Sequence, residues 1–322
     1  MSLSIDIRQK KIFSKFYSNS KLKTSTTIGF VVAILAAAFS ALPNVFPKSL
    51  MEENGLDIIP NPIMLVFVIY VVNGLFFTGI AKNKNPINKI SKATIGLLVL
   101  LGIVESAGTL AYTVGLQETS ALNASILVNG ETIFAILLGI TIFHERLSKN
   151  EILPFMLITV GAIFLPLSAD IYNHGLDLTD FVFGDMLIVL SGFFYSLDTF
   201  IAKKIDASIS TRRIVHMMSC SGALFTLFLM FLFDIPFDIT LEQISIMSFV
   251  GFFGIGVTML FFVMALRLIG AVRTVLIYST TTIFSVIYSS LYLAEVVTLF
   301  NILSVGIVMF GLYALRNRLG AD

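Results

Sequence analysis

Three carboxylates lie inside long apolar stretches of the sequence, where acidic residues are unusual. They are Glu105, Glu131 and Asp198, and Glu131 stands near the start of the run GETIFAILLGITIFHERLS. A charged side chain at the centre of a membrane span costs about 2.5–3.5 kcal/mol on insertion scales. An acid in such a place is therefore expected to hold a proton, meet a cation or line a polar cavity.

Other chemistry of acid pairs lacks its usual companions in this sequence. Two carboxylates can act as general acid and base, but the sequence shows no accompanying nucleophile set, metal-ligand cluster, phosphate-binding glycine loop or GxSxG motif. His144, His174 and His216 all lie in or near predicted loops. We expect no enzyme activity, no cofactor, no metal site and no nucleic-acid partner, with an intramembrane enzyme or a scaffold left as the alternative class.

The composition is typical of an integral membrane protein. Of 322 residues, 57% are hydrophobic and 13% are charged, and the mean hydropathy is +0.93, whereas soluble domains carry about 25% charged residues. The single cysteine, Cys220, cannot form an internal disulfide. Crossing the hydrocarbon core takes about 20 helical residues. Ten apolar runs, numbered here as spans 1 to 10, are long enough: 28–48, 62–81, 93–117, 120–143, 150–168, 184–203, 213–233, 245–268, 272–293 and 298–316.

The basic residues support ten spans with both termini in the cytoplasm. With a cytoplasmic N-terminus, all of the 21 lysines and arginines except Lys48 fall in cytoplasmic segments, which is the bias of membrane proteins in general. We therefore expect an all-α, multi-pass protein of the cell membrane with a cytoplasmic basic leader at 1–27 and a cytoplasmic tail at 317–322. The stretch AAAFSA in span 1 resembles a signal-peptide cleavage site, but the long leader favours a permanent span.

The two halves of the sequence resemble each other. TIFAILLGITIFHE, which ends at Glu145, aligns without a gap with TIFSVIYSSLYLAE, which ends at Glu295, at a shift of 150 residues. Each half, 28–168 and 184–316, holds five spans, and an outer loop at 169–183 joins them. Because five is odd, the repeat is predicted to be inverted, as in many secondary transporters and some channels. The matched glutamates at helix ends are expected to serve the fold.

The ordered set of these motifs resembles the EamA-type transporters of the drug/metabolite transporter superfamily. The resemblance rests on GETIFAILLGITIFHERLS in span 4, its echo in span 9 and the Gly-Asp opening of span 6, and it covers about residues 28–316. It implies that spans 1–4 and 6–9 surround a central cavity, with spans 5 and 10 outside, and that the protein transports, commonly exports, small metabolites, amino acids or drugs. Many members carry a proline near the position of Thr132, so that cause of a kink is missing here.

The two glutamates of spans 3 and 4 are predicted to share one site near the midplane. These spans form a hairpin that turns near Glu118, and Glu105 and Glu131 each lie 13 residues from that point. At 1.5 Å per residue, both would lie about 20 Å below the turn. Two carboxylates in a cavity of low dielectric cannot both ionise cheaply, so we expect the pair to bind a proton in competition with cargo. Alternatively, each stays protonated and hydrogen-bonds a neighbouring helix.

Polar residues at helical spacing extend the predicted site. In span 9, hydroxyl groups stand at the depth where span 4 carries its amide and acid, so the acids of one half should face neutral groups of the other; such hydroxyls could instead bond to their own helix. Asp198 lies nearer the inner surface, where pairing with Lys203 is the alternative to a gating role. The predicted substrate and proton site comprises Glu105, Glu131, Thr109, Tyr112, Asn129, Tyr278, Ser279 and Thr282, and the possible gate comprises Asp198, Tyr195 and Asn44.

The sequence therefore predicts a secondary transporter that moves small organic solutes by alternating access, exports them and is coupled to protons. The cargo is expected to be cationic or zwitterionic, and the protein a monomer or homodimer in the lipid bilayer. A carrier of monovalent or divalent cations that uses the same glutamates is the alternative, since Mg²⁺ prefers oxygen ligands. Phosphorylated cargo is disfavoured because the spans offer no central lysine or arginine to meet the phosphate, although Arg267 and Arg273 lie near the inner mouth.

Overall fold

The computed structural model describes residues 27–51, 59–80, 90–143, 149–164, 180–205, 209–269, 274 and 277–314. Regular structure in these ranges is helical, without strands, and seven helices are long and apolar enough to cross a membrane. The predicted all-α membrane class is thereby confirmed. The helices are α1 (Thr27–Met51), α2 (Pro62–Ile80), α3 (Lys92–Glu118), α4 (Ala121–Leu127 and Gly130–Phe143), α5 (Lys149–Thr159, continued by Val160–Phe164), α6 (Asp180–Lys203), α7 (Thr211–Leu232), α8 (Leu241–Phe249, Val250–Val257 and Thr258–Ile269), α9 (Thr281–Tyr292) and α10 (Leu299–Ala314).

Three of the ten predicted spans are represented by shorter helices. Among the described residues, α9 covers 12 residues and α10 covers 16, and the apolar part of α5 runs from Ile152 to Ala162. Helices α5 and α10 pack on each other, where a Cβ at Gly311 would lie 2.7 Å from the Ile158 side chain. Many of their apolar side chains point outward, such as Leu153 and Leu299 at 66% and 70% exposure, which is how a lipid-facing surface is composed.

Short polar turns begin several of the helices. Ser91 accepts a hydrogen bond from the Thr94 amide at the start of α3, and Ser120 accepts one from Asn123 at the start of α4. Thr240 and Gln243 form a reciprocal capping box at α8. These side chains satisfy backbone N–H groups that have no partner inside the helix, so the tight α3–α4 connection follows from the local sequence.

Helix α6 packs very closely against α3 and α4 because glycines stand at the contacts. A Cβ placed on Gly115 of α3 would lie 2.6 Å from the carbonyl oxygen of Gly184 in α6. A Cβ on Gly192 of α6 would lie 2.8 Å from the backbone nitrogen of Glu131. Small residues allow helix backbones to approach in this way inside a membrane. Helix α6 therefore lies against both helices that carry the predicted site glutamates.

Helices α4 and α9 are interrupted at overlapping positions. In α4 the break lies at Val128 and Asn129, and the amides of Asn129 and Glu131 bond to carbonyls three residues earlier, at 3.1 and 3.0 Å. In α9 the break lies at Ser279 and Thr280, between helical residues 277–278 and Thr281–Tyr292, one residue later than in α4 at the 150-residue shift. The Thr280 amide bonds the Ile277 carbonyl oxygen at 3.0 Å. A proline near Thr132 is thus not needed for a break in α4.

Candidate substrate site and family

The three acids of the predicted spans interact electrostatically with one another, and together they are called the acid neighbourhood below. Glu105 of α3 interacts with Glu131 of α4, and both interact with Asp198 of α6. All three side chains are half-buried in the bundle. The hairpin geometry led us to expect the two glutamates at one depth. Asp198 was expected nearer the inner surface, and the close packing of α6 on α3 and α4 brings it within range of both.

Asp198 has an unusual environment. Its Oδ1 atom is buried and has no hydrogen-bond partner among the described residues. The alternative partner considered from the sequence, the Lys203 side chain, lies outside the described residues. Of the side chains that are buried in the described ranges, none is a lysine, arginine or histidine. A buried carboxylate oxygen without a partner is costly, so this acid is suited to meet a proton or a cationic group.

Tyrosine and threonine hydroxyls surround Glu105. Thr109 Oγ1 donates to the Glu105 carbonyl oxygen at 3.0 Å and lies 2.8 Å from the Tyr70 hydroxyl. Tyr195 packs where a Cβ on Gly108 would lie 2.9 Å from its ring, and both tyrosines interact electrostatically with Glu105. Tyr70, which is fully buried, was missed from the sequence. Its signal was a phenol in the middle of span 2, three residues before the polar Asn73.

Other predicted site residues link helices of the two halves. Tyr112 donates to the Asn44 carbonyl oxygen at 3.2 Å, and the Asn44 side chain donates to Ser285 Oγ at 3.1 Å. The Tyr278 hydroxyl donates to Ser40 Oγ at 2.9 Å and also interacts electrostatically with Glu131 and Glu105. The structure therefore places Tyr278 near the acids, and it places Tyr112 and Asn44 in a contact between α3, α1 and α9.

The two helix interruptions are joined by a hydrogen-bonded side-chain pair. Asn129 Nδ2 donates to Thr282 Oγ1 at 2.9 Å and to the carbonyl oxygen of Ile126 at 2.9 Å. Thr282 is buried, and Ser279 lies in the interruption of α9 itself. Polar backbone at mid-depth is tolerated where protein or a cavity surrounds it. Discontinuous helices that meet in this manner form the cargo sites of many transporters.

The α3–α4 turn binds two charged side chains that sequence analysis had not placed there. Lys48 Nζ donates to the carbonyl oxygens of Leu116 and Thr119 at 3.1 and 2.7 Å. The Glu295 carboxylate accepts from the amides of Ala121 and Leu122, both at 2.8 Å. Lys48, the exception in the charge pattern, thus caps a helix end. Glu295 caps α4, whereas its repeat counterpart Glu145 lies outside the described residues.

The opening of α6 supplies another polar contact at this turn. Asp185 is fully buried, and its Oδ1 accepts a hydrogen bond from Thr119 Oγ1 at 2.6 Å. Nearby, Asn301 Nδ2 donates to Asn123 Oδ1 at 3.0 Å. Asp185 belongs to the Gly-Asp motif used in the sequence comparison, but the motif did not show what the acid binds. The three contacts of Glu295, Asp185 and Asn301 all join the second half to the first.

Comparison with known proteins supports the architecture and the class. The EamA-like transporter family matches the chain twice, over residues 27–166 and 182–316. An uncharacterized transporter of Methanothermobacter thermautotrophicus is 26% identical over 295 residues, which cover 87% of this chain and 83% of that protein. A crystal structure of another protein aligns with a TM-score of 0.61 at 16% identity, over 92% of this chain and 99% of that one, and shows likeness of fold.

The double match agrees with the internal repeat found in the sequence. It covers most of the chain and coincides with helices long and apolar enough to cross a membrane. The predicted class, a transporter and not an enzyme, is confirmed by the family and by the relative. On these grounds the chain belongs to the EamA-like transporter family and is a multi-pass membrane transporter.

Proposed function

We propose that this transporter exports small organic solutes that carry a positive charge, cationic or zwitterionic, in exchange for protons. The observation that carries the proposal is the neighbourhood of Glu105, Glu131 and Asp198, contributed by three different helices. Like charges that interact in a site of low dielectric repel each other. A proton or a cationic group can compensate the cluster, and competition between the two couples their movements.

The helix interruptions support alternating access as the transport mechanism. Glu131 follows directly on the break in α4, and the Asn129–Thr282 pair connects this break to that in α9. A site between the two halves at mid-depth can be exposed to either face when the halves rock. Inverted orientation of the halves, with both termini in the cytoplasm, is part of this proposal.

A carrier of inorganic cations is the second candidate, and the aromatic side chains beside the acids weigh against it. The acids share their neighbourhood with Tyr70 and Tyr195, and aromatic faces attract organic cations. The chemistry of the site therefore favours an organic cargo.

Proton-linked flux in proteoliposomes tests the proposed function. The full chain would be reconstituted with an entrapped pH-sensitive dye, and a panel of amino acids and organic amines would be added under an imposed pH gradient. We expect at least one to produce cargo-dependent proton movement that is lost in Glu131→Gln and Glu105→Gln. Glu242→Gln, which removes an exposed acid outside the cluster, is the matched control. Unchanged coupled flux in Glu131→Gln would falsify the coupling role.

A further inference from the structure

Two side chains of opposite charge form hydrogen bonds to the backbone of the α3–α4 turn, and they come from different halves of the chain. Lys48 lies in the first half and holds the carbonyl end of α3, which also belongs to the first half. Glu295 lies in the second half and holds the amide end of α4 in the first half. The two hydrogen bonds from Lys48 to these carbonyl groups therefore lie within one half, and the two that Glu295 accepts cross between the halves.

The backbone next to Glu295 is shaped to present its carboxylate. Ala294 has φ 54°, a left-handed conformation that non-glycine residues rarely adopt. It follows the end of α9, and the Glu295 amide turns back to the Ser289 carbonyl oxygen at 3.3 Å. Disfavoured backbone conformations persist where surrounding contacts hold them, and they concentrate at functional positions. Here the turn directs Glu295 away from its own helix and towards α4.

The hydrogen bonds that Glu295 accepts are charge-assisted and therefore strong. The amides of Ala121 and Leu122 lie in the first turn of α4, where backbone N–H groups have no partner within the helix. A carboxylate that accepts both makes two charge-assisted hydrogen bonds at the positive end of the helix dipole. Thr119–Asp185 and Asn123–Asn301 add two more hydrogen bonds between the halves at this end of the bundle. Four hydrogen bonds at this end of the bundle therefore cross between the halves.

Alternating access requires contacts between the halves at one face to break when that face opens. We infer that Glu295 is a gating latch: its carboxylate holds the face at the α3–α4 turn closed by binding the Ala121 and Leu122 amides, and opening of that face releases it. The charge pattern of the sequence predicts this face to be the outer one. The inference rests on the alternating access proposed above, but it needs neither a particular cargo nor proton coupling.

Distances between spin labels test the latch directly. Gln117 at the end of α3 and Leu291 on α9 are both exposed, and they would be changed to cysteine for labelling in the full chain, with Cys220→Ser as background. Pulsed electron paramagnetic resonance, recorded without cargo and without a pH gradient, would give the distribution of distances between the two labels. We expect Glu295→Gln to raise the ratio of the long-distance to the short-distance population about five-fold, since it replaces charge-assisted bonds with neutral ones.

Ser120→Ala is the matched control. It removes the side-chain cap from the start of the same helix, and the bond that is lost, from the Asn123 amide, lies within one half, so it should lower thermal stability without moving the distance distribution. An unchanged distribution in Glu295→Gln overturns the latch. So does an equal shift in Ser120→Ala, because the turn would then simply have loosened.

Two provisions keep the test decisive. If Glu295→Gln does not fold, Glu295→Asp replaces it, since the shorter acid keeps its charge but does not reach both amides; an unchanged distribution there also counts against the latch. Absence of proton-linked flux in the parent protein would overturn the proposed coupling, but it would not change how the spin-label distances are interpreted. A failure of the latch and a failure of the proposed function are therefore separate results.

Discussion

Helices α4 and α9 occupy equivalent places in the two halves but differ in chemistry. Their interruptions overlap at the 150-residue shift, and the Asn129–Thr282 hydrogen bond joins them. After the break, α4 carries Glu131, whereas α9 carries Thr281 at the matching position. Glu131 belongs to the acid neighbourhood, while Thr281 Oγ1 donates to the carbonyl oxygen of Tyr278 at 2.6 Å.

The difference separates what the repeat does for the fold from what it does for binding. The shared break provides a connection between the halves, which the proposed alternating access would use in both repeats. The acid is present in one repeat alone, and its acidic neighbours Glu105 and Asp198 come from α3 and α6. Under the proposed function, the symmetric feature would serve the movement, and the asymmetric one would supply the charge that cargo meets.

Moving the acid from one repeat to the other tests this division and has the largest expected effect. Glu131→Thr with Thr281→Glu exchanges the two residue types. We expect cargo-dependent proton flux to fall at least about tenfold and not to recover in the double variant, because Thr281 lies towards Ser40 of α1, 3.5 Å between their hydroxyl oxygens, and not towards α6. Flux in proteoliposomes measures this. Recovery in the double variant would show that the position of the acid is unimportant.

The sequence was sufficient for the class and the repeat, because these depend on composition and on comparing one stretch with another. Counting residues along one hairpin also predicted that Glu105 and Glu131 would share a site, and the two interact electrostatically in the structure. The sequence did not predict the place of Asp198, since the depth of a residue along α6 does not reveal how closely glycines let that helix approach its neighbours. The caps by Lys48 and Glu295 were missed for a similar reason. Their partners are backbone groups of the α3–α4 turn, which any residue type provides.

Adding a methyl group at Gly192 tests whether the close contact of α6 with α4 requires a glycine. The stretch from Gly29 of α1 aligns with the stretch from Gly184 of α6 at a shift of 155 residues, so Gly192 corresponds to Ala37. Gly192→Ala therefore gives α6 the residue type that α1 has at this position. Its Cβ would lie 2.8 Å from the Glu131 nitrogen, and we expect a loss of about 1–3 kcal/mol of stability from overpacking. Thermal unfolding measures this. Gly306→Ala, with nothing within 4 Å of the new Cβ, is the control.

Breaking the bond between the interruptions tests whether the two helices depend on each other. Thr282→Val leaves Asn129 without this buried partner, and we expect a loss of about 1–2 kcal/mol in thermal unfolding experiments. Thr141→Val is the control, because the Thr141 hydroxyl is exposed and bonds within its own helix. A double-mutant cycle with Asn129→Ala measures the coupling. Additive losses would show that the interruptions are independent.

The end of α9 offers the smallest and most local test. Ala294→Gly removes the steric conflict of a Cβ at φ 54°, but it also increases the freedom of the unfolded chain. Since these effects oppose each other, we expect a gain in stability of no more than about 1 kcal/mol. The spin-label distances should stay as in the parent, because the Glu295 bonds do not depend on the alanine side chain. A longer distance in Ala294→Gly would show that the strained backbone itself, and not only the carboxylate, keeps this face closed.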